Sequence, residues 1–600
     1  MAFQYLTNIP LEQAKKEYTD LLIKNGMREV SERISVQEAC ERTTARAVYA
    51  QICAPHYHAS AMDGIAVRAS FTFGAAETTP VTLTPEQYVV VDTGDPVPEN
   101  CDAVIMIEDV VKEADGSVRL HDAAAPWQHI RQIGEDICAG EMILPAYTKV
   151  SPSAIGALLA GGVMEIDVIR KPVVGIIPTG DEIIPPTSDP APGDIIEFNS
   201  SIFSAMLRQW GAVPVTFPIV PDRLDEIRSA VSAALAACDI VLLNAGSSAG
   251  REDYSAQVIQ ELGGVLYHGI AMKPGKPAIL GYQGPKAILG VPGYPVSGII
   301  VIEQLLKPII AYMNHQPARQ EETVQAQLSR PVVSGLKYQE FVRVRMGYVD
   351  GRLIATPLNR GSGVVSSFMK ADGILTIPQG LEGYEAGSEV TVRLLRPHEE
   401  LKNTLVAIGS HDPLLDEVAD LLHRKNTSYY MASAHTGSME THVAGIHLLN
   451  EKDGTYNESF VRKYFPGGGV RLVECVGRTQ GLMVAKGNPK GITGMESLTA
   501  SKIRYVNRQK GSGTRILMDY LCAKHGLDSS SIYGYEREEF THTSVAAQIA
   551  SGSADAGMGI SPAAKMYDLT FIPIGTEQYD LLIPDSAWDT PLVQEMLEIL

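Results

Sequence analysis

Pro172-Val173-Val174-Gly175-Ile176-Ile177-Pro178-Thr179-Gly180-Asp181-Glu182 decides the fold. Pro172 to Ile177 is a short apolar run rich in β-branched residues, which reads as a strand buried on both faces. It ends in a hydroxyl, a glycine and two carboxylates, which places polar groups at a sheet edge. Working outward, Asn199 to Trp210 reads as a helix, Pro214 to Val220 as a strand, Leu224 to Ala237 as a helix and Ile240 to Leu243 as a strand. Tyr254 to Leu262 and Val296 to Tyr312 read as further helices. This alternation predicts a doubly wound α/β sheet, whose ligands sit at the carboxyl ends of its strands.

The chain has 600 residues, too many for one core, so three to five domains are expected. Hydrophobic content of 45% and charged content of 20% are those of a folded protein. The formal net charge of −20 argues against broad nucleic-acid binding but leaves room for a local anion site. The cysteines Cys40, Cys53, Cys101, Cys138, Cys238, Cys475 and Cys522 are scattered and odd in number, with no CxxC pair and no zinc or iron–sulfur spacing. That pattern fits a reducing compartment, and with no basic or apolar leader at the N-terminus it predicts a cytoplasmic protein. The longest apolar run, Gly298 to Tyr312, is interrupted by Glu303, Gln304 and Lys307, so no membrane span is expected.

Before the α/β domain, Pro10 to Lys24 reads as an amphipathic helix with Leu11, Ala14, Tyr18, Leu21 and Leu22 on one face. Ser35-Val36-Gln37-Glu38 is a capping-box start for a second helix. From Cys53 to Lys149 short runs such as Gln87 to Val91 and Ala103 to Ile107 alternate with Gly and Pro, and predict a β-rich domain. Ser151 to Gly161 returns to helix. Thr323 to Leu395 is again β-rich, with Phe341-Val342-Arg343-Val344-Arg345 in period two, and reads as a small barrel. Arg396 to Lys402 reads as a charged linker, and a new α/β unit starts at Thr404.

Special loops recur. Ser60-Ala61-Met62-Asp63-Gly64 displays an acid on a tight turn among small residues. Asp92-Thr93-Gly94 follows. Acids at successive strand ends, in Thr179 to Glu182, at Asp222 and at Glu252-Asp253, suit Mg²⁺ beside phosphates, though each alone could equally cap a helix. Asn244 to Gly250 is a small-residue loop of the kind that cradles phosphate with backbone N–H groups. Lys273-Pro274-Gly275-Lys276-Pro277 holds two lysines on a stiff frame, which lowers the ordering cost of placing both near one anion. Pro292-Gly293-Tyr294-Pro295-Val296-Ser297 puts Ser297 near a helix N-terminus. Together they read as an anion site assembled from several parts of the chain.

These loops, in this order, with Thr93 to Pro98 and Ile130 to Ile137, resemble those of the molybdopterin molybdenumtransferases, the MoeA and gephyrin E-domain family. The resemblance covers about Pro10 to Leu395. It implies four domains: an N-terminal helical dimerisation domain from 1–52 and 148–170, a β-rich insertion domain at 53–147, a MogA-like molybdopterin-binding domain at 171–318 and a small β-barrel domain at 319–396. It implies a homodimer that inserts molybdate into adenylylated molybdopterin with release of AMP, using Mg²⁺, with a molybdopterin adenylyltransferase as upstream partner. Carried over by motif, Asp63, Thr93 and Asp136 reach the reaction centre from the β-rich domain of the other subunit. Glu182, Asp222 and Asp253 serve the metal, phosphate or pterin side. Lys273, Lys276, Ser297, Arg343 and Ser362 hold the oxyanion. Two departures stand out: Arg251 where the family's Gly-Gly-x-Ser-x-Gly-Glu loop has an acid, and Tyr294 where its Pro-Gly-Asn-Pro has asparagine.

Residues 403–600 resemble a type 2 periplasmic-binding-protein fold, two α/β lobes around a cleft, as in molybdate- or tungstate-binding and LysR-type sensor domains. The carrying stretches are Gly409-Ser410-His411-Asp412-Pro413, Ser433 to Ser438, Arg478 to Val484 and Arg508-Gln509-Lys510-Gly511-Ser512-Gly513-Thr514-Arg515 before a helix Ile516 to His525. A Ser/Gly/Thr loop before a helix offers donors to a tetrahedral oxyanion, so Ser410, Ser438, Arg508, Ser512, Thr514 and Arg515 are the candidates; capping alone is the competing account of Ser512 and Thr514. Two classes of function follow. One is a molybdenumtransferase with a fused oxyanion-binding domain. The other is a non-catalytic molybdate or tungstate sensor or scaffold, in which Arg251 and Tyr294 mark lost chemistry; a tungstate-preferring cofactor synthesis is a variant of the first.

Overall fold

The structure is a computed structural model, and it describes residues 8–245, 254–316, 321–409, 412–432, 441–450, 454–500 and 502–600. Contacts divide it into two units: Met1–Ile270, Gly275–Gly293 and Ser297–Arg319 form the first, and Ala271–Pro274, Tyr294–Val296 and Gln320–Leu600 the second.

In the first unit, helix Leu11–Lys24 buries Leu11, Ala14, Tyr18 and Leu22, the i, i+3, i+4 stripe its sequence sets out. The Tyr18 hydroxyl donates to Gly281 O at 2.6 Å, which satisfies the one polar atom on that face. The second expected helix is a single 3₁₀ turn, Val36–Glu38, with Ser35 Oγ accepting from Gln37 N–H. It stops because the following residues are claimed by β-bridges, Thr43 with Lys149 and Thr44 with Val168. Strand Ser31–Ser35 pairs antiparallel with Glu165–Ile169, so the two distant segments of this domain close on each other. Helix Pro152–Ala160 is capped by Ser151 Oγ, 3.2 Å from Ala154 N.

The β-rich part has strand Gly64–Val67 between Tyr88–Val91 and Ala103–Met106, and a second sheet of Val81–Leu83, Val118–Leu120 and Val110–Lys112. A Cβ on Gly64 would overlap Ile105 O, so glycine is what lets these strands approach.

The α/β sheet contains Val173–Pro178, Val213–Thr216, Ile240–Ala245 and Lys286–Pro292 in parallel; Ile279–Gln283 pairs antiparallel with Lys286–Pro292, and Gly264–His268 pairs antiparallel with Ile279–Gln283 in turn. Helices Asn199–Gln209, Leu224–Ala237 and Tyr254–Leu262 pack on it. Val174, Ile176, Ile177, Val241, Leu242 and Leu243 are fully buried, as a strand covered on both faces requires. The apolar stretch Pro295–Met313 is helical with a π turn at Ile302–Leu306, just before Pro308, whose missing N–H cannot close an i→i−4 bond. Its window is long and apolar enough to cross a membrane by composition, but 67% of it is buried in protein.

In the second unit, strands Thr323–Leu328, Gln339–Val349, Arg352–Pro357, Gly373–Ile377 and Glu389–Leu394 close into a barrel around Val342, Val344, Met346, Leu375 and Val392. The period-two strand expected at Phe341–Arg345 is present: Val342 and Val344 enter the barrel core, and the alternate residues are sheltered too, with Arg343 1% exposed and Arg345 paired with Asp372 at 3.0 Å. Residues 396–402 contain a short helix, His398–Lys402, pinned by buried Leu401. Among the described residues the C-terminal part has one eight-stranded sheet and three cores: around Leu482, Tyr505 and Met518, around Val506, Val545 and Ile549, and around Leu405, Val418 and Leu581. Strands Val470–Val484 and Thr570–Pro584 run through both as an antiparallel pair. Helix Gly513–Lys524 begins three residues before the sequence-based start at Ile516.

Candidate functional site

In the β-rich part three loops are tied together. Ala59 bridges Pro96, and Ser60 pairs with Ile130, so the Asp63, Thr93 and 131–136 loops share one edge. Thr93 donates its N–H and its hydroxyl to Asp63 Oδ1, at 2.6 and 2.7 Å. The Thr93 hydroxyl first, then its N–H, hold the Asp63 carboxyl below the usual aspartate range, so it is an anion at neutral pH. Gly94 takes φ +95° and donates to Ser60 O, which turns the chain so that Thr93 faces Asp63. Asp136 is exposed, with its N–H on Ala54 O at 3.1 Å.

At the carboxyl edge of the α/β sheet, Thr179 bridges Val220 and Asp222 N–H donates to Asp181 Oδ1 at 3.3 Å. Glu182 and Asp222 are exposed there, while Asp253 lies outside the described residues. Among the described residues no three acids, histidines or cysteines converge on a common point. The edge offers instead a row of buried oxygens without hydrogen-bond partners among the described residues: Thr179 Oγ1, Asn244 Oδ1, Asn199 Oδ1 and Ser200 Oγ. Register links them, since Asn244 pairs with Pro178 on one side and Val291 on the other, and Asn199 Nδ2 donates to Gly293 O at 2.7 Å. Asn199 and Ser200 were not legible as site residues. Their signal was the small polar run Asn199-Ser200-Ser201 opening a helix, which a cap explains just as well. Buried polar atoms left unpaired are costly, so such a row has bonding capacity that a ligand or ion can use. An oxygen-only donor set beside exposed carboxylates fits Mg²⁺. Ser297, buried at the start of its helix, and Lys276, whose carbonyl accepts from Ile270 N–H, belong to the same unit.

In the second unit one buried carboxylate gathers cations. Glu340, 3% exposed, accepts from Ser334 Oγ at 2.9 Å and from Arg360 Nη1 at 3.2 Å, and Lys273 Nζ stands 3.9 Å away. Lys273 reaches it because Met272–Lys273 pairs in parallel with Gln339–Glu340. Arg343 lies in the same strand as Glu340. Its Nε donates to Ser367 Oγ at 3.1 Å and its Nη2 to Asn359 O at 2.7 Å, while Nη1 is buried with no partner among the described residues. Burial lowers the Arg343 pKa most, with Glu340 opposing and Arg360 adding to the effect. Three cations around one acid leave net positive charge for an incoming anion. Arg360 was missed; its signal was only an arginine in a Gly/Ser loop. The Ser362 carbonyl accepts from Val296 N–H at 3.1 Å, so this serine fixes the 361–363 loop beside Tyr294 to Val296 through its backbone.

In the C-terminal part Ser410 and Ser438 lie outside the described residues. Ser512 Oγ accepts from Arg515 N–H at 3.2 Å as the helix cap. Thr514, fully buried, accepts from Gln480 Nε2 at 3.1 Å, and Gln480 Oε1 has no partner among the described residues. Arg508 is 8% exposed; it donates to Phe540 O at 3.1 Å and its Nε is buried with no partner among the described residues. Burial, then the charge of Arg478, push the Arg508 pKa down to about 10. Arg478 is engaged by Asp412 at 2.9 Å and by Glu577, which also meets His447 Nδ1 at 3.1 Å. Burial opposes ionisation of Glu577, but His447 and Arg478 hold its pKa down to about 2. Arg515, the remaining oxyanion candidate, is engaged by other groups. Its guanidinium bonds Asp519 at 3.0 Å and Glu538 at 3.2 Å and stacks on the Tyr535 ring, so its charge is already balanced. A Cβ on Gly513 would overlap the His447 ring, so the small residue there seats the helix start against His447.

Four family models match this chain in order: the MoeA N-terminal region (domain I and II) at 9–162, a probable molybdopterin binding domain at 175–312, the MoeA C-terminal region (domain IV) at 325–395 and a PBP superfamily domain at 419–600. A molybdopterin biosynthesis protein of Methanocaldococcus jannaschii is 31% identical over 408 residues, 65% of this chain and 98% of that protein. A molybdopterin molybdenumtransferase of Bacillus subtilis is 30% identical over 411 residues, 65% of this chain and 95% of that protein. The crystal structure of a MoeA protein from Pyrococcus horikoshii superposes with a TM-score of 0.53 at 29% identity, covering 65% of this chain and all of that one.

Proposed function

Because this chain belongs to the MoeA family of molybdopterin molybdenumtransferases and carries a PBP superfamily domain behind the family region, we propose that it inserts molybdate into adenylylated molybdopterin, releases AMP, and binds an oxyanion in its C-terminal domain. The chain is a transferase of molybdenum cofactor biosynthesis. The observation that carries the finer reading is that Lys273 and Arg360 meet on the buried carboxylate of Glu340, whose charge Arg343 in the same strand also feels.

The chemistry asks for little beyond charge and position. Molybdate, the dithiolene and the pyrophosphate link all carry negative charge, so their approach is opposed until fixed cations offset it. Lys273, Arg343 and Arg360 are held by a strand, a loop and Glu340 before any substrate arrives, so little reorganisation is needed. At the α/β edge, Thr179, Asn199, Ser200 and Asn244 orient the pterin and phosphate side, with Lys276 and Ser297 as further donors and Glu182 and Asp222 as carboxylates; Asp253 joins them by motif. Mg²⁺, held there by oxygen ligands, would neutralise phosphate charge. Asp63, fixed as an anion by Thr93, and Asp136 act on the substrate from the β-rich domain of a second subunit in a homodimer. A molybdopterin adenylyltransferase supplies the substrate. In the C-terminal part, Arg508, Thr514 and the capped helix start at Ser512, with Ser410 and Ser438, form the oxyanion site.

Purified full-length protein, incubated with adenylylated molybdopterin, molybdate and Mg²⁺, is expected to release AMP in step with molybdenum uptake by the pterin. Absence of AMP under conditions where the Bacillus subtilis transferase turns over would overturn the reading.

A further inference from the structure

Cys53 and Cys138 are far apart in sequence, and neither belongs to the sites described above. The fold sets them opposite each other. Ala54 N–H donates to Ile137 O at 2.8 Å, and Ile137 N–H donates to Ala54 O at 3.1 Å, so these two residues form a hydrogen-bonded antiparallel pair. The next pair along is Cys53 with Cys138. It is of the type without mutual backbone hydrogen bonds, in which Cα atoms approach to about 4.5 Å and side chains come closest. A disulfide forms when Cα atoms are about 4.4 to 6.8 Å apart.

The sulfurs share one space. A Cβ built on Gly134 would lie 2.8 Å from Cys138 Sγ and 3.7 Å from Cys53 Sγ. Gly134 has φ +74°, so the turn needs glycine and the glycine leaves room for both thiols. Ala139 N–H donates to Cys53 Sγ at 3.3 Å, and the Cys138 thiol donates to Gly134 O at 3.4 Å. Cys138 is exposed and Cys53 half-buried, and both are free thiols. One can meet a reagent from solution while the other waits beside it, which is the arrangement of an attacking and a resolving cysteine.

We propose that Cys53 and Cys138 form a redox-active pair that a small-molecule disulfide converts to an intramolecular disulfide. The Cys138 thiolate attacks one sulfur of glutathione disulfide, and one glutathione leaves as thiolate. The Cys53 thiolate then attacks Cys138 Sγ in the mixed disulfide, and the second glutathione leaves. The two protein thiols are oxidised, the glutathione disulfide is reduced, and the two protons pass to the two glutathione thiolates. The new bond ties the 50–54 segment to the base of the loop that carries Asp136, already joined by Asp136 N–H to Ala54 O and Gly134 N–H to Pro55 O. This reading is independent of the transferase reaction.

The test uses full-length reduced protein exposed to glutathione disulfide, alkylated and digested for mass spectrometry. The expected product is a Cys53–Cys138 linked peptide lacking two hydrogens and carrying no glutathione, and dithiothreitol restores both thiols. Cys53→Ser removes the resolving thiol, so glutathione then stays on Cys138. Cys40→Ser, which removes another exposed thiol, leaves the linked peptide unchanged. Wild-type protein that keeps glutathione on Cys138, or forms no link at concentrations that modify Cys40, overturns the pairing. Amide exchange across 131–138 is expected to slow on oxidation, and unchanged exchange overturns the clamp.

Discussion

Thr93 grips one oxygen of Asp63 twice, with its N–H at 2.6 Å and its hydroxyl at 2.7 Å. Both bonds favour the charged carboxyl, so the folded pKa lies below the unfolded one. A depressed carboxyl contributes stability that is present above its unfolded pKa and is lost as pH falls through the folded value. Thr93→Val removes the hydroxyl and keeps the N–H. The Asp63 carboxyl resonance of the variant is expected to titrate at higher pH than in wild type, but still below an ordinary aspartate. An unchanged midpoint would mean the hydroxyl bond is not formed in solution.

Glu340 is expected to organise the cations rather than react. Glu340→Gln loses the ionic contacts to Arg360 and Lys273, which stand at the edge of the barrel with side chains 41% and 61% exposed. Both can turn to water, so the loss of stability should be modest, about 1–2 kcal/mol by denaturant titration. Turnover should fall far more than stability, by about tenfold or more, because the cations lose their fixed positions. Equal retention of AMP release would remove Glu340 from the account.

Part of this was legible and part was not. The Asp63 and Thr93 turns can be read from sequence because turn chemistry is local: small residues, glycine and a short acid within five positions. The α/β strands could be read because continuous apolar runs such as Val173 to Ile177 have few alternatives. Arg343 defeated the same reasoning. Period two gives a strand residue its side, and only tertiary partners such as Asn359 O and Ser367 explain how a guanidinium is sheltered there. Ser35 to Glu38 carried a helix signal that distant strand pairing overrode. Cys53 and Cys138 could not be paired without the bridge register between Ala54 and Ile137.

Gly64 is expected to be intolerant of any side chain. A Cβ there meets the Ile105 carbonyl, a backbone atom in the middle of a paired strand, so nothing flexible can yield. Gly64→Ala should cost about 2–4 kcal/mol, in the range of overpacking and lost ladder bonds. Gly26→Ala, at a site open on all sides but with φ +99°, is the comparison: it should cost less, about 1 kcal/mol from backbone strain alone. Thermal unfolding of both variants decides between crowding and strain.

Glu577 ties C-terminal stability to pH. Its folded pKa is about 2 against an ordinary 4.5, held there by His447 and Arg478 despite burial. The stability it contributes is complete above pH 4.5 and is lost as pH falls toward 2. Glu577→Gln should lower stability at neutral pH by a few kcal/mol, because Arg478 loses a buried partner. It should also flatten the fall in stability below pH 4.5. Chemical denaturation at a series of pH values reads both effects; a variant that keeps the wild-type acid slope would place the titration on another group.

Arg508 supplies the last test, of the oxyanion site. Its Nε, buried beside Arg478, is a donor without a partner among the described residues. An anion bound there stabilises only the folded state, by about 2.7 kcal/mol at a hundredfold excess over its Kd. Molybdate or tungstate should therefore raise the melting temperature of the C-terminal transition in the full-length protein. Arg508→Gln should abolish that rise while leaving the Asp63–Thr93 titration as it was. Arg515→Gln should leave the rise in place, because Asp519 and Glu538 already balance Arg515. If the rise vanishes with Arg515→Gln and survives Arg508→Gln, the anion is held by the outer side of the helix rather than by the buried donors at its start.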